Sequence, residues 1–185
     1  LEAEVDWYVI LHHPTMFDRT SLVGQIEPVV NEAKKLRGEK IILYPNADTG
    51  SNVFISVIES LRGTSGVHIF KNIPRADLIN LLMHSKLLIG NSSMGVIDCS
   101  YLKVPVVNVG RRQTMRERGL NVVDATYDGI SINRAISKAT SKGFLRKLAT
   151  SKSPYGDGHT AKKIVQKIEK MIDKKQLFHK KLTYV

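Results

Sequence analysis

The stretch IGNSSMGVID, from Ile89 to Asp98, runs from an apolar segment through a small polar turn into a second apolar segment. A strand that enters a helix through glycines and serines suits a phosphate. Gly90 and Gly95 let the backbone approach closely, the Ser92 and Ser93 hydroxyls can donate to oxyanions, and a helix start favours negative charge. The pattern is neither GxGxxG nor a P-loop, and the same residues also describe an ordinary capped helix. On a continuous helix Asp98 would lie about one and a half turns beyond Ser92, within reach of a ribose diol. Its plain alternative is a solvated helix aspartate.

A second cluster is GRRQTMRERG, Gly110 to Gly119, with Arg111, Arg112, Arg116 and Arg118 in one loop. Guanidinium forks match phosphate oxygens in two-point fashion, so at least one arginine is expected to turn inward and the others to face water. The third is His12 and His13 before Pro14. Either could donate to a phosphate or protonate a leaving group, and either could be purely structural. With Leu11 buried, His13 is expected to be the more exposed. Ser92 has no histidine or lysine nearby in sequence to act as its base, which argues against a nucleophile. The histidines show no metal-ligand spacing, so neither metal nor cofactor is expected.

These clusters need a scaffold that brings them to one rim. The runs WYVIL, KIILY, VHIF, KLLIG and VPVVNVG are short, β-branched and non-alternating, the pattern of strands buried on both faces. Between them, Val23, Ile26, Val30 and Ala33, then Val53, Val57, Ile58 and Leu61, then Leu78, Leu81 and Leu82, recur at helical spacing. Ser51 and Asn52, and later Ser92 and Ser93, stand where helices should start, and Gly38 and Gly63 where they should stop. Strand and helix in alternation predict one Rossmann-like α/β domain over residues 1–185, a parallel sheet between helical layers. Ligands of such sheets sit outside the strands' carboxyl ends. There fall His12 and His13, PNADTGSN, Asn72 to Pro74, GNSSMG and GRRQTMR.

The bulk numbers bound the partners. At 185 residues with 42% hydrophobic content, the chain can bury the core of one domain. No apolar run approaches the roughly eighteen residues of a membrane span, and the first residues lack the pattern of a signal peptide. A lone cysteine, Cys99, cannot close an internal disulfide and reads as a small core residue in a reducing, cytoplasmic setting. The net charge of +11 favours anionic partners. Much of the excess lies between Lys162 and Lys181, where Ile164, Val165, Ile168 and Ile172 mark an amphipathic helix with a basic, solvated face. With aromatic residues at 6%, a nucleic-acid partner is not expected.

Taken together, HP at His13 and Pro14, PNADTGS from Pro45, IGNSSMGVID, VPVVNVGRRQTMRERGLNV from Val104 and PYGDGHTAKKIV from Pro154 resemble the UDP-N-acetylglucosamine 2-epimerase family. The resemblance implies the C-terminal half of a glycosyltransferase-B architecture. IGNSS resembles the hydrolysing, sialic-acid-pathway members, which release UDP and form N-acetylmannosamine. By the family pattern His13, Asn46, Ser92, Ser93, Asp98 and Arg112 contact UDP, and the backbone around Ile73 meets the uracil. His13 is the single candidate here for a catalytic role, because the family's proton-abstracting carboxylates belong to an N-terminal domain outside this chain.

Two departures stand out: the family usually has Glu at the position of Asp98, and commonly Gly at that of Met115, where a positive φ is then harder to adopt. The resemblance also implies a homo-oligomeric full-length enzyme and a chain that alone binds UDP weakly and turns nothing over. The other readings are the nucleotide-sugar half of a glycosyltransferase, which would need an acceptor, and a UDP-binding module without chemistry.

Overall fold

The computed structural model describes residues 5–172, which divide into two compact units on either side of Tyr155 and Gly156. The first unit is built on six parallel strands: β1 (Trp7–Leu11), β2 (Glu39–Leu43), β3 (Val67–Phe70), β4 (Leu87–Gly90), β5 (Val106–Val109) and β6 (Val122–Ala125). Their order is β3-β2-β1-β4-β5-β6. The chain builds outward from β1 to β3, then returns to β1's other side with β4. The order therefore reverses between β1 and β4, where the crevice at the carboxyl ends opens.

The strands alternate strictly, and the two faces are covered by different helices. Ile10, Ile42, Ile89, Val107 and Val123 belong to one core cluster, with Ile26, Phe54 and Ile132 from α1 (Leu22–Lys34), α2 (Ser51–Glu59) and α6 (Gly129–Ala139). Val9, Ile41, Leu88 and Val106 belong to the other, with Leu78, Leu82 and Cys99 from α3 (Arg75–His84) and α5 (Asp98–Leu102). Each buried aliphatic contributes about 1.5 to 3 kcal/mol of transfer free energy, so the period of two in every strand locks the register.

The predicted parallel α/β sheet is present, with three differences. β3 is an edge strand, and edge position leaves it half-buried where the sequence suggested burial on both faces. β6 and the helices α6 and α7 (Lys142–Thr150) were not anticipated; β6 is four residues long and carries Asp124 on its exposed side. Val23 is exposed, and the buried side of α1 is Ile26, Val29, Val30 and Ala33.

Helix ends also differ in detail. α2 begins on Gly50, which takes φ +87° as N-cap, so Ser51 is already helical and caps nothing. α1 stops at Lys34 and α2 at Glu59, and Gly38 and Gly63 lie in the turns beyond them. α1 has a cap the sequence reading did not single out, Ser21, whose Oγ accepts from the Gly24 N–H at 3.2 Å.

Gly90 is the tightest point of the scaffold. A Cβ built there would stand 2.0 Å from the carbonyl oxygen of Leu11. Only glycine lets β1 and β4 approach so closely at the crevice.

The stretch after α7 leads back to the sheet unit: the Tyr155 hydroxyl donates to the Glu117 carbonyl at 2.6 Å, and Lys103 donates to the Ser151 carbonyl. In the second unit, α8 (Thr160–Glu169) carries Ile164, Val165 and Ile168, all exposed, and ends before Ile172, which lies in the turn beyond it. The basic stretch beyond residue 172 lies outside the described residues. No described helix is long and apolar enough to cross a membrane.

Candidate functional site

The rim at the reversal is held together by one residue, Asn91, at the end of β4. Its side-chain oxygen accepts from the His13 N–H at 2.7 Å, and its side-chain NH2 donates to the His13 carbonyl at 2.8 Å. The loops after β1 and β4 are thus paired like a further rung of the ladder. Its own carbonyl accepts from Gln113 Nε2 at 2.8 Å and from Arg112 Nη1 at 3.3 Å, which ties in the loop after β5. Three loops converge on a fully buried amide.

The loop after β2 joins through His13. The Asn46 N–H donates to His13 Nδ1 at 3.1 Å. A ring nitrogen that accepts carries no proton, so in the neutral ring the hydrogen sits on Nε2 and is available to a ligand. Burial, and secondly the charge of Arg112, hold the His13 pKa down to about 4. At neutral pH His13 is therefore a neutral donor of one defined tautomer. It is only 8% exposed, marginally more open than His12 at 1%.

His12 points the other way. Its ring stacks on Phe54 with centroids 5.5 Å apart and meets Tyr127 edge-on. Among the described residues neither ring nitrogen makes a well-formed hydrogen bond; burial, then the charges of His13 and Arg112, lower its pKa to about 3 against a small opposing contribution from the Gln25 backbone. It is a core ring in the plain structural sense.

The arginine loop divides as its chemistry suggested. Arg112 turns toward the rim, three-quarters buried, and reaches Asp48 Oδ2 at 3.8 Å, while Asp48 accepts from Asn46 Nδ2 at 2.8 Å. Arg118 is engaged structurally, donating to Asp124 and to the Gln113 carbonyl. Arg111 and Arg116 face outward.

Met115, fully solvated, does adopt φ +72°. A left-handed conformation costs a residue with a Cβ about 1 to 2 kcal/mol, of which glycine's extra chain entropy offsets part. Met115→Gly is expected to raise the stability of the chain by about 0.5 kcal/mol, read as a later urea midpoint at unchanged slope.

The segment after β4 departs from the sequence reading. Ser92 caps a four-residue helix, α4 (Ser93–Val96), through a weak 3.4 Å bond from the Met94 N–H, and α5 begins only after a break at Ile97. A helix broken after one turn has little macrodipole, so discrete donors must do what a dipole was expected to do. Those gathered about Asn91 are Arg112 and His13, which bond to it, and the hydroxyls of Ser92 and Ser93, which follow it in the chain. The break also overturns the spacing argument for Asp98, which is the first residue of α5 rather than a position along a continuous helix. Its carboxylate accepts from Arg75 Nη2 at 2.9 Å. Arg75 begins α3, two residues beyond Ile73, which is half-buried in the loop after β3.

Sequence reasoning missed Asn91, Gln113, Asp48 and Arg75. Only Asn91 left a signal, as the amide between two residues already suspected. A cavity of about 700 Å³ opens beside this rim between the loops after β5 and β6, where Asp18, Arg111 and Tyr127 line it. None of His13, Asn46, Ser92 and Arg112 lines it, and the rim is the better phosphate site because its free donors converge there without three lining aspartates. Among the described residues no group of three His, Cys, Asp or Glu side chains could hold a metal.

A doubly wound parallel sheet whose loops gather neutral and cationic donors at the strand reversal defines a Rossmann-like domain with an anion-ready rim. The profile of the UDP-N-acetylglucosamine 2-epimerase family matches residues 4–169, and the chain belongs to that family. It is 32% identical over 176 residues to a UDP-N,N'-diacetylbacillosamine 2-epimerase (hydrolyzing) of Legionella pneumophila, covering 93% of this chain and 45% of that protein. A UDP-N-acetylglucosamine 2-epimerase of Neisseria meningitidis is 33% identical over 137 residues, 73% of this chain and 36% of that one. Among solved structures, a UDP-GlcNAc 2-epimerase from Neisseria meningitidis bound to UDP-GlcNAc superposes with a TM-score of 0.72 at 17% identity, over 92% of this chain and 46% of that one. The fold is thus that of one half of a glycosyltransferase-B architecture. The chain spans about half the length of the curated relatives it matches.

Proposed function

We propose that this chain is the UDP-holding half of a hydrolysing UDP-N-acetylglucosamine 2-epimerase, with residues 1–185 serving as one functional unit in a cytoplasmic enzyme. The observation that carries the reading is the rim itself: a fixed Nε2–H on His13, the Arg112 guanidinium and the Ser92 hydroxyl, all positioned around Asn91. In this reading they hold the diphosphate. Ser93 adds a second hydroxyl, Asn46 closes the rim from the β2 loop, Asp98 takes the ribose, and the backbone at Ile73 meets the base.

The chemistry follows from where charge grows. When the bond from sugar C1 to UDP breaks after proton loss at C2, negative charge accumulates on the departing phosphate. Donors already in place at that point lower the barrier without reorganising. A histidine with its pKa near 4 does this as a neutral hydrogen-bond donor, not as an imidazolium acid. The bases that take the C2 proton would come from the other half, so the chain alone is expected to bind UDP weakly and to release no N-acetylmannosamine.

The test is calorimetric titration with UDP, with CMP and ADP as controls. Selective UDP binding that Ser92→Ala weakens about threefold and Arg112→Lys about tenfold is the expected result, since a point charge cannot copy the fork. Equal binding of all three nucleotides, or none of UDP, would sink the reading.

A further inference from the structure

We infer that Arg75 is a positioning residue for nucleoside recognition: it holds the carboxylate of Asp98 toward the ribose and couples it to the loop that meets the base. The inference rests on the reading of Asp98 as the ribose carboxylate and adds a residue to it.

Asp98 is the first residue of α5 after the break at Ile97, so the helix sets its backbone but not the rotamer of its carboxylate. The guanidinium of Arg75 contacts that carboxylate from one side. Nη2 donates to Oδ1 at 2.9 Å, a contact that occupies one carboxylate oxygen and leaves the second lone-pair set to a ligand hydroxyl. Asp98 is three-quarters buried, whereas Arg75 is largely solvated. An ion pair with so exposed a partner contributes little to fold stability. Its consequence is orientation. The short aspartate side chain has two torsions to fix, and a charge-assisted bond from one side selects the rotamer.

The location gives the contact its meaning. Arg75 is the first residue of α3, directly after Pro74, at the end of the loop that carries Ile73. Asp98 lies on α5, on the same face of the sheet. The bond therefore spans the two elements that would hold the base and the sugar of one nucleoside, whose spacing is set by the shared core of Ile73, Leu78, Leu82 and Cys99.

The experiment is titration of the 185-residue chain and its variants with UDP and with 2′-deoxy-UDP. Wild type is expected to prefer UDP about tenfold, the effect of one hydrogen bond to a charged group. Asp98→Asn should bring the preference close to one. Arg75→Gln should reduce it at least threefold, and Arg75→Lys, which keeps a charged donor for the single bond to Oδ1, should retain more of it than Arg75→Gln does. In the Asp98→Asn background, Arg75→Gln should leave the preference unchanged, because the two residues act through one contact. Loss of both ligands in equal proportion in Arg75→Gln overturns the inference, since it would mark a general attraction of the diphosphate; so does an unchanged preference. A wild-type chain that binds UDP with no preference at all removes Asp98 from the ribose, and one that binds no UDP removes the nucleotide reading itself.

Discussion

Asn91→Ala is expected to destabilise the chain by about 2 to 4 kcal/mol and to abolish UDP binding at concentrations where the wild type saturates. The substitution leaves the buried N–H and carbonyl of His13 without partners, and each orphaned buried group costs about 1 to 3 kcal/mol. Water cannot replace the amide, because Asn91 is completely enclosed. The effect on the ligand site follows separately. Without the two bonds, the loop after β1 is free to leave β4, and the His13 ring loses its place beside Asn46 and Arg112. Urea unfolding followed by circular dichroism reads the first effect, and calorimetry the second. A variant with wild-type stability and wild-type UDP affinity would show that the rim is held by something other than this amide.

Acid should unfold the chain well before its carboxylates titrate. His12 and His13 have folded pKa values lowered to about 3 and about 4, chiefly by burial, below the ordinary value near 6.5. The unfolded chain therefore binds more protons than the folded one, and stability falls as pH drops below about 6.5, continuing down to the folded pKa values. At 1.36 kcal/mol per pKa unit, the full shift of His12 corresponds to a loss of about 5 kcal/mol, of which about 3 kcal/mol falls above pH 4.5. His12→Phe should remove that part of the slope. The ring already stacks on Phe54 and makes no well-formed side-chain hydrogen bond, so a phenyl group of similar size costs little at pH 7. Urea midpoints from pH 7 to pH 4.5 test this. Equal acid sensitivity in wild type and His12→Phe would mean that another group governs the transition.

Both expectations start from residues that the sequence presents unequally. HP after an apolar run, and GNSS between a strand and a helix, were legible because strand periodicity and turn residues are local properties. Gly90 was expected to admit a ligand close to the backbone, whereas the approach it permits in the structure is that of β1 to β4. The contrast between His12 and His13 was legible in direction, since alternation past a buried Leu11 puts His13 on the more open side, but not in degree, because both rings ended up buried.

Inverted roles show the same limit. Arg112 and Arg111 are adjacent and chemically identical, yet one turns to the rim and the other to the neighbouring cleft, as the path of the loop around Gln113 dictates. The helix expected to start at Ser92 and Ser93 and to carry Asp98 is broken at Ile97 into two short helices.

By itself the sequence determined the alternation of strand and helix, the small polar turns at the strand ends and the family to which the chain is similar, because each is written in spacing and residue type along the chain. Only the tertiary structure decided that Asn91 joins three loops, that the proton of neutral His13 sits on Nε2, and that Asp98 is oriented by Arg75. Those depend on pairs 78, 33 and 23 residues apart. Their bonds exist only once hydrophobic burial has brought six strands into one sheet, and no local propensity encodes them.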